Sequence, residues 1–208
     1  MTERVCRMGV AIVVGAALAL VAPVAARQDM APDAPTKKDP LRFTAVAVSL
    51  PQGKAGTVDI AIERWTTDEE RASLLDLLAG ASFKAHGQDK LLQALQRIEP
   101  RTGFIRAPNT LGWDLRYARE HLLPNGIRQI VIATDKPVGF LAAARGARVM
   151  DYPFSFVEMR MKPDGKGEGR LLVATAIDVK NGRLELENYG QEPVRLTSIT
   201  EHRKKKQE

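Results

Sequence analysis

Residues 150–189 read MDYPFSFVEMRMKPDGKGEGRLLVATAIDVKNGRLELENY, and this stretch decides the fold. From Met150 to Lys162, Tyr152, Phe154, Phe156, Glu158 and Arg160 fall on one face, and Val157, Met159 and Met161 on the other. That is the two-residue period of a strand, with apolar side chains on both sides. Pro163 to Gly169 reads as a glycine-rich hairpin loop, and Leu171 to Val179 as the returning strand. Asn181-Gly182 is the strongest short hairpin signal in the chain, and Leu184 to Tyr189 is the strand after it. Consecutive hairpins of this kind predict an antiparallel meander.

The same reading extends outward. Val194 to Ile199 makes a last strand. Upstream, the turn Pro124-Asn125-Gly126 leads into Ile127 to Thr134, which is apolar on both faces at Ile130, Val131 and Ile132 and so belongs in the middle of the fold. Trp113, Leu115 and Tyr117 alternate with Asp114 and Arg116, and Phe43 to Leu50 and Val58 to Trp65 are the first two strands. Between them and Gly103 the period changes. Thr67-Asp68-Glu69-Glu70 is a capping box, with Leu74, Leu75, Leu77 and Leu78 following and Gly80 as a stop. A second helix over 88–98 puts Leu91, Leu92, Leu95 and Ile98 on one face. The expectation is a mainly β domain, an antiparallel barrel or sandwich of about nine strands with a two-helix insertion, the barrel preferred.

The ends of the chain concern compartment. Arg4 and Arg7 precede an uncharged apolar run from Gly9 to Ala22, Pro23 breaks it, and Val24-Ala25-Ala26 supplies small residues for cleavage before Arg27. Residues 1–26 therefore read as a signal peptide, giving a periplasmic or secreted protein with no membrane span after cleavage. Residues 27–40, with three prolines, read as a disordered leader, residues 41–202 as one domain and residues 203–208 as a basic tail. The lone cysteine, Cys6, leaves with the signal, so the mature chain has neither disulfide nor thiol chemistry.

Of the net charge of +6, removal of residues 1–26 leaves 29 basic and 24 acidic side chains, and Arg203 to Lys206 carry most of that excess. The body is close to neutral and only 5% aromatic, which argues against a nucleic-acid partner. Three histidines at unrelated positions make no metal set, and no cofactor motif is present. Asp164-Gly165-Lys166-Gly167-Glu168 puts a lysine at a ligand position of a calcium loop and lacks the closing glutamate, so it reads as a hairpin.

The residues left as candidates are charged and aromatic groups inside strands: Asp114, Arg116, Tyr152, Glu158 and Arg160. On a barrel's inner face they would form a polar floor that orients a ligand; on its outer face they would be an ion-pair ladder. Segments 63–71 (ERWTTDEER), 134–140 (TDKPVGF) and 151–154 (DYPF) resemble an uncharacterised group of exported bacterial proteins. The resemblance implies a shared domain and carries no activity. The expected function is non-enzymatic binding of a small apolar ligand or an envelope partner. The alternative is a hydrolase or isomerase using lone carboxylates such as Asp135, Asp151 or Glu158.

Overall fold

The computed structural model describes residues 34–50, 53–80, 83–138, 153–180, 183–188 and 192–202. The cleavage site, Tyr152, Asp151 and the basic tail lie outside them. Of the leader, residues 34–40 are described: Pro35 is buried, and the Thr36 amide donates to Asp39 O at 3.1 Å.

Nine strands and two helices follow. They are β1 (Leu41–Ser49), β2 (Lys54–Ile62), α1 (Asp68–Ala79), α2 (Phe83–Gln96), β3 (Gly103–Arg106), β4 (Trp113–Leu122), β5 (Arg128–Thr134), β6 (Phe154–Met161), β7 (Lys166–Lys180), β8 (Arg183–Asn188) and β9 (Val194–His202). All pairings are antiparallel, and β1 to β6 run as neighbours in chain order. β6 pairs with the first half of β7, β7 with β9, and β9 with β1, which closes an eight-stranded barrel. The second half of β7 runs past the ring and pairs with β8, from Thr175↔Asn188 to Lys180↔Arg183.

The alternation read from sequence sorts the two faces. Phe43, Ala45, Ala47, Val58, Ile60 and Ile62 line the lumen from β1 and β2, and Ile130, Ile132, Val157, Met159, Met161 and Leu171 line it from β5 to β7. These belong to one contiguous buried cluster. At roughly 1.5–3 kcal/mol per fully buried large apolar side chain, this cluster dominates the stability of the fold.

The helices cover the outside. Leu74, Leu78, Leu91, Leu95 and Ile98 form a second cluster with Phe154 and Ile177, and Tyr117 and Phe156 pack against it. Thr67 caps α1 as its sequence requires: its hydroxyl accepts from the Glu70 amide at 3.2 Å, and Glu70 Oε2 accepts from the Thr67 amide at 2.9 Å. From α2 the Gln88 amide donates to Ile177 O, while its oxygen accepts from Ile177 N at 3.2 Å. One side chain thereby occupies both backbone groups of a strand residue.

Three expectations are corrected. The glycine-rich loop is shorter than it reads, because Gly167 and Gly169 lie inside β7. They are glycines for a packing reason: a Cβ on Gly169 would sit 2.3 Å from Glu158 O, and one on Gly167 would sit 2.4 Å from Arg160 O. Close backbone approach at a barrel bend excludes any side chain there. Tyr117 does not share a face with Trp113 and Leu115, because β4 has a register shift between Leu115 and Tyr117; Leu115 faces the lumen and Tyr117 the helices. Helix α2 begins at Phe83, five positions earlier than its leucine spacing announces, and runs through Gly87.

Candidate functional site: the lumen and its two ends

Interior-facing positions change chemistry toward the ends of the barrel. At one end, Ser49, Thr134 and Ser155 are buried. Ser155 Oγ accepts from Val138 N at 2.8 Å and donates to Val173 O, and Thr134 Oγ1 donates to Lys136 O at 2.5 Å. These hydroxyls draw the Lys136–Val138 segment over that end, and Val138 joins the lumen cluster.

The other end is charged. Arg128 continues the inward series of Ile130 and Ile132 on β5, Glu120 continues that of Ala118 on β4, and Glu201 that of Ile199 on β9. The Arg128 guanidinium donates to Glu201 Oε2 at 2.6 Å, and its Nε lies 3.0 Å from Glu120 Oε1. That second contact is close in charge but not aligned as a hydrogen bond. The Glu201 side chain is 1% exposed. β5 and β9 are not neighbours in the ring, so this ion pair spans the lumen.

The residues singled out from sequence lie elsewhere. Asp114 and Arg116 come together, 3.8 Å apart, within a network at the start of β4. Arg101 reaches Asp114 Oδ1 at 2.7 Å and both oxygens of Glu63 at 3.1 Å, and these two carboxylates hold its guanidinium more firmly protonated than usual. Arg116 donates to Ile98 O at 3.2 Å and to Glu99 at 2.9 Å, and lies 3.4 Å from the buried Asp135. The network fastens the α2–β3 connection to the barrel.

Glu158 and Arg160 also come together, on the outer face of β6. Arg160 donates to Glu158 Oε1 at 3.3 Å, Gln129 donates to the same oxygen at 2.7 Å, and Arg170 donates to Oε2 at 2.8 Å. Burial alone would raise the Glu158 carboxyl, but the Gln129 amide, the Arg170 guanidinium and the more distant Arg160 outweigh it and hold the group below the ordinary range. This is the ladder arrangement rather than a cavity floor, since the lumen face of β6 carries Val157, Met159 and Met161. No described hydrogen bond or ion pair joins the Asp114–Arg116 network to it.

Sequence reading missed Arg128, Glu120 and Glu201. A signal was present in each: a charged residue at the parity of an apolar row. Among the described residues no three His, Cys, Asp or Glu side chains are placed to hold a metal ion, and no helix is long and apolar enough to cross a membrane. Comparisons with family models, with curated proteins and with solved structures gave no match.

Proposed function

We propose that this chain is an exported carrier that binds a small apolar ligand in the barrel lumen, without catalysing a reaction on it. The observation that carries the reading is the closed eight-stranded ring whose inner face is apolar between two polar ends. Barrels of this size are filled by their own side chains or hold one small ligand. Met159 and Met161 on the lumen face of β6 are adaptable side chains whose repacking would admit a ligand.

The hydrolase or isomerase alternative finds less support. A general acid or base works best with a pKa near the working pH. Glu158 is shifted the opposite way by its partners.

A fluorescent apolar probe tests the reading. Saturable binding is expected, with quenching of Trp65 and Trp113, which pack against the lumen cluster. Ala47→Trp, which fills the lumen from β1, should abolish it while the far-UV spectrum is kept. Mass spectrometry of organic extracts of the purified protein gives a second readout should that variant fold poorly. Absence of saturable binding together with absence of any extracted ligand would remove the carrier reading.

A further inference from the structure

The outer wall formed by β6, β7, β9 and β1 carries an arrangement that folding alone disfavours. Arg170 on β7 lies directly opposite Arg195 on β9. Both residues are exposed and point outward, since their neighbours Leu171, Val194 and Leu196 belong to the lumen cluster. Like charges at directly opposed positions destabilise a strand pair. Arg170 has Glu158 beside it, whereas the Arg195 side chain makes no hydrogen bond or ion pair among the described residues.

Counted together, the outward cations Arg160, Lys166, Arg170 and Arg195 outnumber the carboxylates Glu158 and Glu168 on this wall. Arg160 is 57% exposed beside Glu158 on β6, and Lys166 and Glu168 are both exposed on β7. On the far side of Arg195 its register partner on β1 is Val48, with Val46, 38% exposed, two residues along. Arg203 to Lys206 follow directly in sequence on His202, the last residue of β9.

We infer that this wall docks on an anionic lipid bilayer, with Arg170 and Arg195 clasping headgroup phosphates and Val46 resting against the interface. Adjacent strands run about 5 Å apart, so the two side chains leave the wall from neighbouring positions, and guanidinium forks match phosphate geometry. A broad strand wall with an exposed valine suits a planar surface better than it suits a small soluble anion, and the basic run that follows would add attraction of the same sign.

Co-sedimentation of the purified full chain with vesicles decides it. Vesicles containing one-third phosphatidylglycerol should bind it, and pure phosphatidylcholine vesicles should bind much less; the second arm also subtracts any insertion of the N-terminal apolar run, which every variant shares. Arg195→Gln and Arg170→Gln should each weaken binding to the anionic vesicles about fivefold, the usual worth of one basic residue near such a surface. Arg71→Gln, on the exposed side of α1, should change it less than twofold. Thermal melts check that the variants remain folded, and deletion of residues 203–208 should lower affinity while leaving the Arg195 effect in place. Equal losses for Arg71→Gln, indifference to phosphatidylglycerol, full competition by millimolar inorganic phosphate, or tighter binding to duplex DNA than to vesicles would each overturn the proposal.

Discussion

Two of the barrel's arginine–glutamate clusters are built from the same side chains in opposite surroundings. At the charged end of the lumen, Arg128 meets a Glu201 that water barely reaches. On the outer wall, Arg160 and Arg170 meet Glu158, but their side chains are 57% and 61% exposed. Attraction between unit charges scales inversely with the local dielectric, and solvent screens the outer set. The comparison teaches that distance alone does not rank these pairs, since Arg170 Nη2 approaches Glu158 as closely, at 2.6 Å, as Arg128 Nη2 approaches Glu201. What differs is the fate of the partner left behind when one member is removed.

The largest effect should come from the lumen. Glu201→Ala leaves the Arg128 guanidinium without its cross-lumen acceptor, and the expected loss is about 3–5 kcal/mol in urea unfolding. Adding Arg128→Ala should cost much less than a second loss of that size; two full, additive losses would show that the pair does not act as a unit. Next comes a change that touches no charge. Gly169→Ala on the outer-wall strand β7 drives a methyl into Glu158 O, and about 3 kcal/mol is expected, the upper end of overpacking costs. If it costs less than Glu158→Ala, the ladder rather than backbone fit governs that wall.

Glu158→Ala and Arg160→Ala should each cost no more than about 1 kcal/mol, the range of exposed pairs. A loss approaching the Glu201 value would erase the distinction between the two clusters. The smallest effect concerns acid. The Glu158 carboxyl is held below the 4.5 of a free glutamate, so its stabilisation is complete above that pH and is lost as pH falls through the folded value. Urea midpoints of Glu158→Gln and the parent should therefore converge in strong acid; a difference that widens on acidification would reverse the assigned sign.

Local signals made most of this fold legible in the sequence. The capping box needs only Thr67 and Glu70, three residues apart, and the inward rows of β1, β5 and β6 follow from parity alone. The candidate residues were legible as pairs, because Asp114 with Arg116 and Glu158 with Arg160 are each two positions apart on a strand. Their partners were not, since Arg101, Glu63 and Arg170 arrive through register. The lumen brace was hidden for the same reason: Arg128 and Glu201 are 73 positions apart and meet only once the ring is closed. Gly167 and Gly169 carry a turn's composition but answer to the backbone of β6, a neighbour that composition does not reveal.

Closure of the ring by its final strand sets a timetable for the chain. Thr44 and His202, 158 positions apart, share a hydrogen bond at 2.9 Å across the β1–β9 seam. Pairing at such separation carries a large loop-closure cost, which places the barrel among slow folders, on the scale of milliseconds to seconds. Until residues 194–202 arrive, β1 and the first half of β7 each present an unpaired edge, the condition that invites intermolecular strand addition. A nascent chain is thus exposed to aggregation for as long as residues 194–202 are missing, and a chaperone that shields strand edges would act in that interval.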